Sequence, residues 1–243
     1  MTATSTPTIV LVHGAFADSA SWAPVTRLLL DAGYDVRVPP VPNRSLSGDA
    51  EYIRRFVEQI DGPVLLAGHS YGGAVITVAG VADNVAGLVY VSGYALAEGE
   101  SLGELQGGFP DSNLAANLVY EPYTLPDGTD GTDVSVKVDA FPDVFAAGVP
   151  LATAQVLAVS QRPLSALAFG EKASAAAWQT KPAWGIVSSA DHTINPEVER
   201  YGYKRAGLRH VTEIDAPHLV MHARPAEVAR VITDAAEEIR DAR

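Results

Sequence analysis

Short apolar runs alternate along this chain with longer amphipathic runs. A short, continuously apolar run is typical of a strand buried on both faces, as in a parallel sheet covered by helices. We predict six such strands, at residues 8–13, 35–38, 63–67, 85–91, 183–188 and 210–214. Helices are predicted at about residues 21–32, 49–60, 73–82, 196–206 and 225–240. This alternation predicts an α/β fold, with a mostly parallel sheet of about six strands and helices on both faces.

One segment, residues 95–180, interrupts the alternation, because it separates two predicted strands by far more residues than an ordinary crossover needs. It contains a predicted hairpin, with strands at 120–125 and 133–138 and a turn at 126–131 that is rich in glycine and aspartate. Helices are predicted within it at 141–145 and 151–160. We therefore predict that residues 1–94 and 181–243 form the core and that residues 95–180 form an inserted lid, or cap, subdomain.

The sequence Gly68-His69-Ser70-Tyr71-Gly72 joins a predicted strand to a predicted helix. In that setting a Gly-x-Ser-x-Gly turn holds its serine in a strained conformation above the sheet edge, where the N-terminus of the next helix points at it. A glycine turn with a purely structural role gives the same pattern. Catalysis by Ser70 therefore requires that the chain also supply a base, an orienting acid and donors for an oxyanion.

His218 and Asp191 are the predicted base and acid. His218 lies between the last predicted strand and the last predicted helix, and Asp191 directly follows the preceding strand. Loops at the carboxyl ends of such strands face the active site. Glu98, which follows another strand, is an alternative acid, whereas Asp215 is too near His218 in sequence and is expected to cap or solvate a turn. The alternative for His218 is a buried structural histidine.

Two backbone N–H groups are the predicted oxyanion donors, because a fixed dipole needs no reorganisation as charge develops. They belong to Tyr71, which the serine turn positions, and to Ala15, which follows Gly14 where the chain leaves the first strand. His13 is expected to anchor this loop by hydrogen bonding. The predicted substrate pocket contains Gly14, Phe16, Phe141, Phe145 and Leu219.

These motifs resemble those of the α/β-hydrolase superfamily, in the esterase-like branch that includes plant methylesterases and hydroxynitrile lyases. Val12-His13-Gly14-Ala15, the serine turn, the Asp191 loop and Pro217-His218 carry the resemblance, which covers nearly the whole chain. It implies a triad in the order Ser70, Asp191, His218. The lyases typically have threonine at the position of Gly14 and lysine at that of Leu219, so both residues favour hydrolysis. Related dehalogenases and epoxide hydrolases use an aspartate nucleophile, where this chain has Ser70.

Charge and composition limit the classes of molecule that the protein is expected to bind and the chemistry that it can perform. The 29 acidic and 17 basic residues give a net charge of −12, which disfavours nucleic acid and anionic membranes. Residues 95–180 contain eleven acidic and three basic residues, as a solvated outer face would; a lid that disfavours anionic substrates is the alternative. The chain has no cysteine, which excludes a cysteine nucleophile and a thiolate metal site.

The remaining features concern cofactors and location. No metal-ligand cluster or Gly-x-Gly-x-x-Gly sequence occurs, so neither a metal nor a cofactor is expected. The N-terminal sequence lacks the features of a signal peptide, which predicts a cytoplasmic protein. The expected partner is a small-molecule substrate. The sequence leaves the oligomeric state open, a dimer included.

These features together predict a serine hydrolase that cleaves small to medium neutral carboxylic esters or lactones through an acyl-enzyme. Two alternatives remain open. One is a small-molecule-binding, receptor-like protein on the same fold. The other is a lyase or cofactor-independent enzyme that uses the pair Ser70 and His218 as a base.

Overall fold

The computed structural model describes residues 6–125 and 127–242 of the chain. In chain order, its strands are β1 (Thr8–Val12), β2 (Val36–Arg37), β3 (Val64–His69), β4 (Val85–Val91), β5 (Leu118–Thr124), β6 (Asp130–Val136), β7 (Leu164–Ser165), β8 (Ala183–Ser188) and β9 (His210–Ile214). Six of them form the main sheet, in the order β2-β1-β3-β4-β8-β9, and all neighbours are parallel. The predicted parallel sheet is therefore confirmed.

The helices are α1 (Ala23–Asp31), α2 (Leu46–Glu58), α3 (Tyr71–Ala79), α4 (Leu102–Gly107), α5 (Phe141–Val144), α6 (Leu151–Val159), α7 (Leu167–Gly170), α8 (Pro196–Ala206), α9 (Val220–Ala223) and α10 (Pro225–Asp241). Around the main sheet, α1 packs on α9 and α10, whereas α2 packs on α3, so the helices form separate layers. None of the helices in the described ranges combines the length and apolarity needed to cross a bilayer.

Burial explains why the central strands agree with the prediction. Every residue of β1, β3 and β8 is buried, so the apolar runs that predicted them are the core itself. The strand at the sheet edge, β2, is shorter than predicted: it comprises only Val36 and Arg37, of which Arg37 is exposed. An edge strand has one neighbour and less apolar surface to bury, so its ends are less well determined by the sequence.

Capping residues set several helix boundaries. The helix predicted from residue 49 begins at Leu46, because the Ser45 side chain accepts the Gly48 N–H at 3.1 Å. Asp49 therefore lies within α2, and its side chain is buried. At α8, Asn195 caps the N-terminus and Gly207 ends the helix in the left-handed conformation, with φ +62°.

The 95–180 segment contains a second, antiparallel sheet in the order β5-β6-β7. The predicted hairpin is present, but its turn is shorter, because Asp130 and Gly131 pair with Thr124 and Tyr123 inside the ladder. The predicted turn residue Pro126 lies outside the described residues. Helices α5 and α6 lie where predicted; α4 was not predicted, although its Ser101-x-x-Glu104 capping box was a readable signal. The boundary of the lid subdomain stays a prediction.

Candidate functional site

Ser70 is the single residue between β3 and α3. Its backbone has φ +55° and ψ −122°, a sparsely populated conformation that costs about 1–3 kcal/mol. The glycines of the turn make this geometry possible. A Cβ on Gly68 would lie 2.4 Å from the Gly72 carbonyl oxygen, and one on Gly72 would lie 2.4 Å from the Val12 oxygen. The Gly-x-Ser-x-Gly pattern is therefore a packing requirement of this turn.

Strained backbone is concentrated at the edge of the main sheet that the carboxyl ends of its strands form. Within the described ranges, four residues other than glycine have a positive φ, and they lie in the loops after β1, β2, β3 and β4 in turn: Phe16, Asn43, Ser70 and Ser92. Strained residues cluster at functional sites, and ligands of open parallel sheets bind outside the carboxyl ends of the strands. Both considerations point to this edge.

His218 and Asp191 form a buried pair at the same edge. His218 Nδ1 lies 2.6 Å from Asp191 Oδ2, and both side chains are fully buried. The other carboxylate oxygen, Oδ1, accepts the N–H groups of Thr193 at 2.6 Å and Ile194 at 2.9 Å. Three donors thus hold the Asp191 carboxylate. Because Nδ1 donates to Asp191, His218 Nε2 is left as an acceptor, and it has no hydrogen-bond partner in the described part of the chain.

The His218 ring lies beside His69, the residue that precedes Ser70. Ser70 Oγ and His218 Nε2 form no hydrogen bond in this structure, and Ser70 is only 5% exposed. Catalytic hydrogen bonds are often unmade in the free enzyme and form in the complex with substrate. Little of Ser70 is therefore accessible to a substrate in this conformation.

His69, the variable residue of the serine turn, positions the loop that carries His218. Its Nε2 donates to the His218 carbonyl oxygen at 3.0 Å, and the two rings lie 4.6 Å apart. Burial, followed by repulsion from His218, lowers the pKa of His69 well below its usual value, so His69 stays neutral. The Phe145 ring contacts His218 from the side of α5, at 4.9 Å.

The loop after β1 lies directly against the serine. A Cβ on Gly14 would be 2.8 Å from Ser70 Cβ. His13 anchors this loop as expected: Nδ1 donates to the Gly14 oxygen at 2.9 Å, and Nε2 accepts the Val41 N–H at 2.8 Å. Burial lowers the pKa of His13 to about 4, so it remains neutral in this role. The N–H groups of Ala15 and Tyr71 donate no hydrogen bond to other described residues.

The predicted pocket residues are only partly brought together. A crevice beside His218 is lined by four of them, Phe16, Phe141, Phe145 and Leu219. Its enclosed volume of about 10 Å³ leaves room for about one water molecule. Gly14 is not in its lining and contacts Ser70 instead. The crevice therefore has no room for a substrate in this conformation.

The alternatives to Asp191 lie elsewhere. Glu98 and Asp215 are both exposed, and neither bonds to His218. Glu199 is not among the residues predicted from the sequence; it is buried in α8 and contacts Ser188, just before the Asp191 loop. A signal for it existed, because Glu199 occupies the buried stripe that Val198, Gly202 and Tyr203 define at helical spacing.

Comparisons with known proteins bear on the family and the fold of the chain. The sequence profile of the Alpha/beta hydrolase family matches residues 9–231. One curated relative, a carbendazim hydrolyzing esterase of Nocardioides sp. (strain SG-4G), is 36% identical over 109 residues, which cover 38% of this chain and 44% of the relative. The match thus spans less than half of that relative's length.

Solved structures match over nearly the whole chain. A polyneuridine aldehyde esterase has a TM-score of 0.81 at 19% identity, covering 96% of this chain and 100% of that one. A methylesterase from Arabidopsis has a TM-score of 0.78 at 16% identity, covering 95% and 99%. At these identities the likeness concerns the fold alone. It confirms the predicted fold class and the predicted resemblance of this chain to plant methylesterases.

Proposed function

Because the chain belongs to the alpha/beta hydrolase family, we propose that it is a serine hydrolase of small to medium neutral carboxylic esters or lactones. The observation that carries the proposal is the buried pair of His218 and Asp191, which leaves His218 Nε2 as an unpartnered acceptor at the sheet edge where Ser70 is strained. Relatives named as esterases support the same reaction class.

In the proposed reaction, Ser70 Oγ attacks the ester carbonyl while His218 Nε2 takes the hydroxyl proton. Asp191 holds the imidazole tautomer and stabilises the imidazolium that forms. The N–H groups of Ala15 and Tyr71 bind the oxyanion of the tetrahedral intermediate, and each such donor is worth about 10²–10³ in turnover. His218 then protonates the leaving alcohol. Water, deprotonated by His218, releases the acyl group and regenerates Ser70.

The crevice beside His218 supports the substrate class. Three phenylalanines and two leucines dominate its lining, and no cationic side chain belongs to it; its members are Phe16, Ala17, Asp18, Ser21, Phe141, Phe145, Leu157, Ser160 and Leu219. Apolar walls with few polar groups favour a neutral, mostly apolar acyl or alcohol group. We assign residues 95–180 to a lid, because α5 and α6 contribute part of this lining and must move to admit substrate.

A covalent probe tests the proposal without knowledge of the substrate. A fluorophosphonate reacts with an activated serine, and intact-protein mass spectrometry detects the adduct. We expect one adduct on the wild type and none on Ser70→Ala or His218→Ala, with all three proteins folded by circular dichroism. Ser189→Ala, which removes a half-buried hydroxyl bonded to the Ile214 oxygen, is the matched control and keeps the adduct. A folded wild type that forms no adduct contradicts the proposal.

A second function, binding of a small molecule without turnover, is also consistent with the absence of a hydrogen bond between Ser70 and His218. The same probe separates the two functions. If no adduct forms and a panel of esters and lactones is not hydrolysed, the binding function replaces the hydrolase. If a substrate is converted without an adduct, Ser70 and His218 act instead as a base, as in a lyase.

A further inference from the structure

Glu199 is a buried carboxyl group to which the proposed reaction assigns no role. It lies in α8 and is 1% exposed. Its Oε2 accepts the Ser188 N–H at 3.1 Å, whereas Oε1 has no hydrogen-bond partner among the described residues. The adjacent Arg200 forms no ion pair with Glu199, because its guanidinium faces outward to Glu197 and Glu213. A buried carboxylate without a cation is costly, so this group requires an explanation.

The hydroxyl groups around Glu199 are already engaged. Those of Tyr203, Ser188 and Tyr94 bond to other groups: Gly93 and Ile186 for Tyr203, Ser92 for Ser188, and Gln106 for Tyr94. Asp191 lies against the same residue as Glu199, because its N–H donates to the Ser188 oxygen at 3.3 Å, while the Ser188 N–H donates to Glu199. Among the neighbouring charges, that of the Asp191 carboxylate raises the pKa of Glu199 most. Two carboxyl oxygens that face each other attract only if a proton lies between them.

The donors around each group decide which carboxyl carries that proton. Asp191 accepts from His218 Nδ1 and from two backbone N–H groups, whereas Glu199 accepts from one. Donors stabilise the charged form, so Asp191 is the ionised partner. Burial, followed by the negative charge of Asp191, raises the pKa of Glu199 well above its usual value.

We infer that Glu199 is a positioning residue for the base: in its protonated form it donates its O–H to the Asp191 carboxylate, which extends the pair of His218 and Asp191 to a third buried group. The inference rests on the proposed function, in which His218 is the base. The added donor fixes the orientation of the Asp191 carboxylate. It also withdraws part of the negative charge that faces His218 Nδ1.

The first test asks whether Glu199 is protonated in the folded protein. A free glutamate ionises near pH 4.5, so above that pH the folded protein binds one more proton than the unfolded chain. This residue's contribution to stability therefore falls as pH rises from about 4.5 toward the raised pKa. Glu199→Gln does not titrate, but its amide can accept from Ser188 and donate to Asp191. We expect the difference between the Tm of Glu199→Gln and that of the wild type to become steadily more positive as the pH rises from 5 to 8.

The comparison isolates Glu199 because both proteins share the other groups that face it. These groups are Asp191 in the loop after β8, Tyr94 after β4, and Tyr203 and Arg200 on α8. Their contributions cancel in the difference between the two Tm values. Glu197→Gln is the matched control, because it makes the same chemical change at an exposed position of α8, and its difference from wild type is expected to stay constant over this range.

The second test separates positioning from a merely structural role. Glu199→Leu removes the donor to Asp191, and we expect kcat to fall about 10- to 100-fold with KM little changed. The acidic limb of the kcat/KM–pH profile is expected to move to higher pH, because Asp191 then presents more charge to the imidazole. Glu199→Gln keeps the donor to Asp191. We expect it to retain most of kcat, with the acidic limb of its kcat/KM–pH profile at the wild-type position.

The outcomes distinguish the two proposals. A Tm difference between Glu199→Gln and wild type that does not change with pH overturns the protonated state of Glu199. Wild-type turnover in folded Glu199→Leu overturns its positioning role. A wild type without a fluorophosphonate adduct overturns the proposed function instead, and the Tm comparison needs no turnover, so the two failures give different results.

Discussion

At the scale of single residues, the chemistry depends on which polar atoms already have a partner and which do not. Asp191 is held by three donors, so its carboxylate has one orientation. His218 is held from both ends, by Asp191 at Nδ1 and by His69 at its carbonyl oxygen. In contrast, His218 Nε2, the atom that would accept the proton in the proposed reaction, has no hydrogen-bond partner among the described residues. A rigid support around free reactive atoms is what preorganised catalysis requires.

Asp191→Asn tests this support. The asparagine side chain fills the same space, but its amide donates where the carboxylate accepted, which favours the wrong tautomer of His218. In the proposed mechanism we expect kcat to fall by about three to four orders of magnitude, with the fold retained. Asp215→Asn, at an exposed position before His218, is the control and is expected to behave as wild type in the same ester assay. An Asp191→Asn variant within tenfold of wild type would contradict the role of Asp191.

At the scale of elements, the parallel sheet brings together residues that are far apart in the chain. The ends of β3, β8 and β9 lead to Ser70, Asp191 and His218, because all strands of a parallel sheet present their carboxyl ends at one edge. The 95–180 segment adds Phe145, which directly follows α5 and contacts both Phe16 and His218. The core thus supplies the reactive groups, and the segment supplies part of the wall of the crevice.

Phe145→Leu tests whether that wall limits substrate size. The smaller side chain enlarges the crevice, so we expect the ratio of kcat/KM for longer over shorter acyl esters to rise by up to about tenfold. Phe109→Leu is the matched control, because that half-buried ring packs on Tyr201 and is not in the crevice lining. The measurement is a chain-length series of chromogenic esters. If both variants change the ratio equally, Phe145 has no specific part in selecting the substrate.

At the scale of the whole molecule, the site is closed, and charged side chains hold the 95–180 segment against the core. Arg205 of α8 binds Glu100 through two nitrogens, at 2.8 and 2.7 Å, and donates to the Ala95 oxygen at 2.9 Å. Arg44, before α2, pairs with Asp133 of β6 at 2.7 Å. The bidentate, partly buried pair of Arg205 and Glu100 is stronger than an isolated surface pair. Opening of the site must therefore break these contacts or pivot about them.

Arg205→Met tests the attachment. Methionine keeps an apolar stem but leaves Glu100 and the Ala95 oxygen without their donor, so the segment opens more often. We expect limited proteolysis within residues 95–180 to become roughly 10-fold faster or more, since cleavage follows the population of the open state. Arg27→Met, which removes an exposed pair with Asp31, controls for the loss of charge. Equal cleavage rates in the two variants would show that Arg205 does not restrain the segment.

The sequence by itself determined the strands and the serine turn. Apolar runs read as strands because a central parallel strand is buried on both faces, and β8 and β9 have the predicted bounds. The pattern Gly68-x-Ser70-x-Gly72 predicted the turn, because only glycine fits there. Asp191 and His218 were predicted from their positions after strands. These features are local, since each depends on residues that are neighbours in the chain or on a repeat within one element.

Only the tertiary structure decided which side chains meet across the fold. Tyr71 bonds to Asp49, 22 residues away, and His69 bonds to the carbonyl oxygen of His218, 149 residues away. The packing of Glu199 and Asp191 against Ser188, and the crevice that Phe16 and Phe145 line together, depend on contacts of the same kind. Their energy comes from burial and hydrogen bonding between elements that the sheet order brings together. Local composition and spacing do not predict such pairings. Before the chain packs, many side chains of the same chemical type could form the same contact.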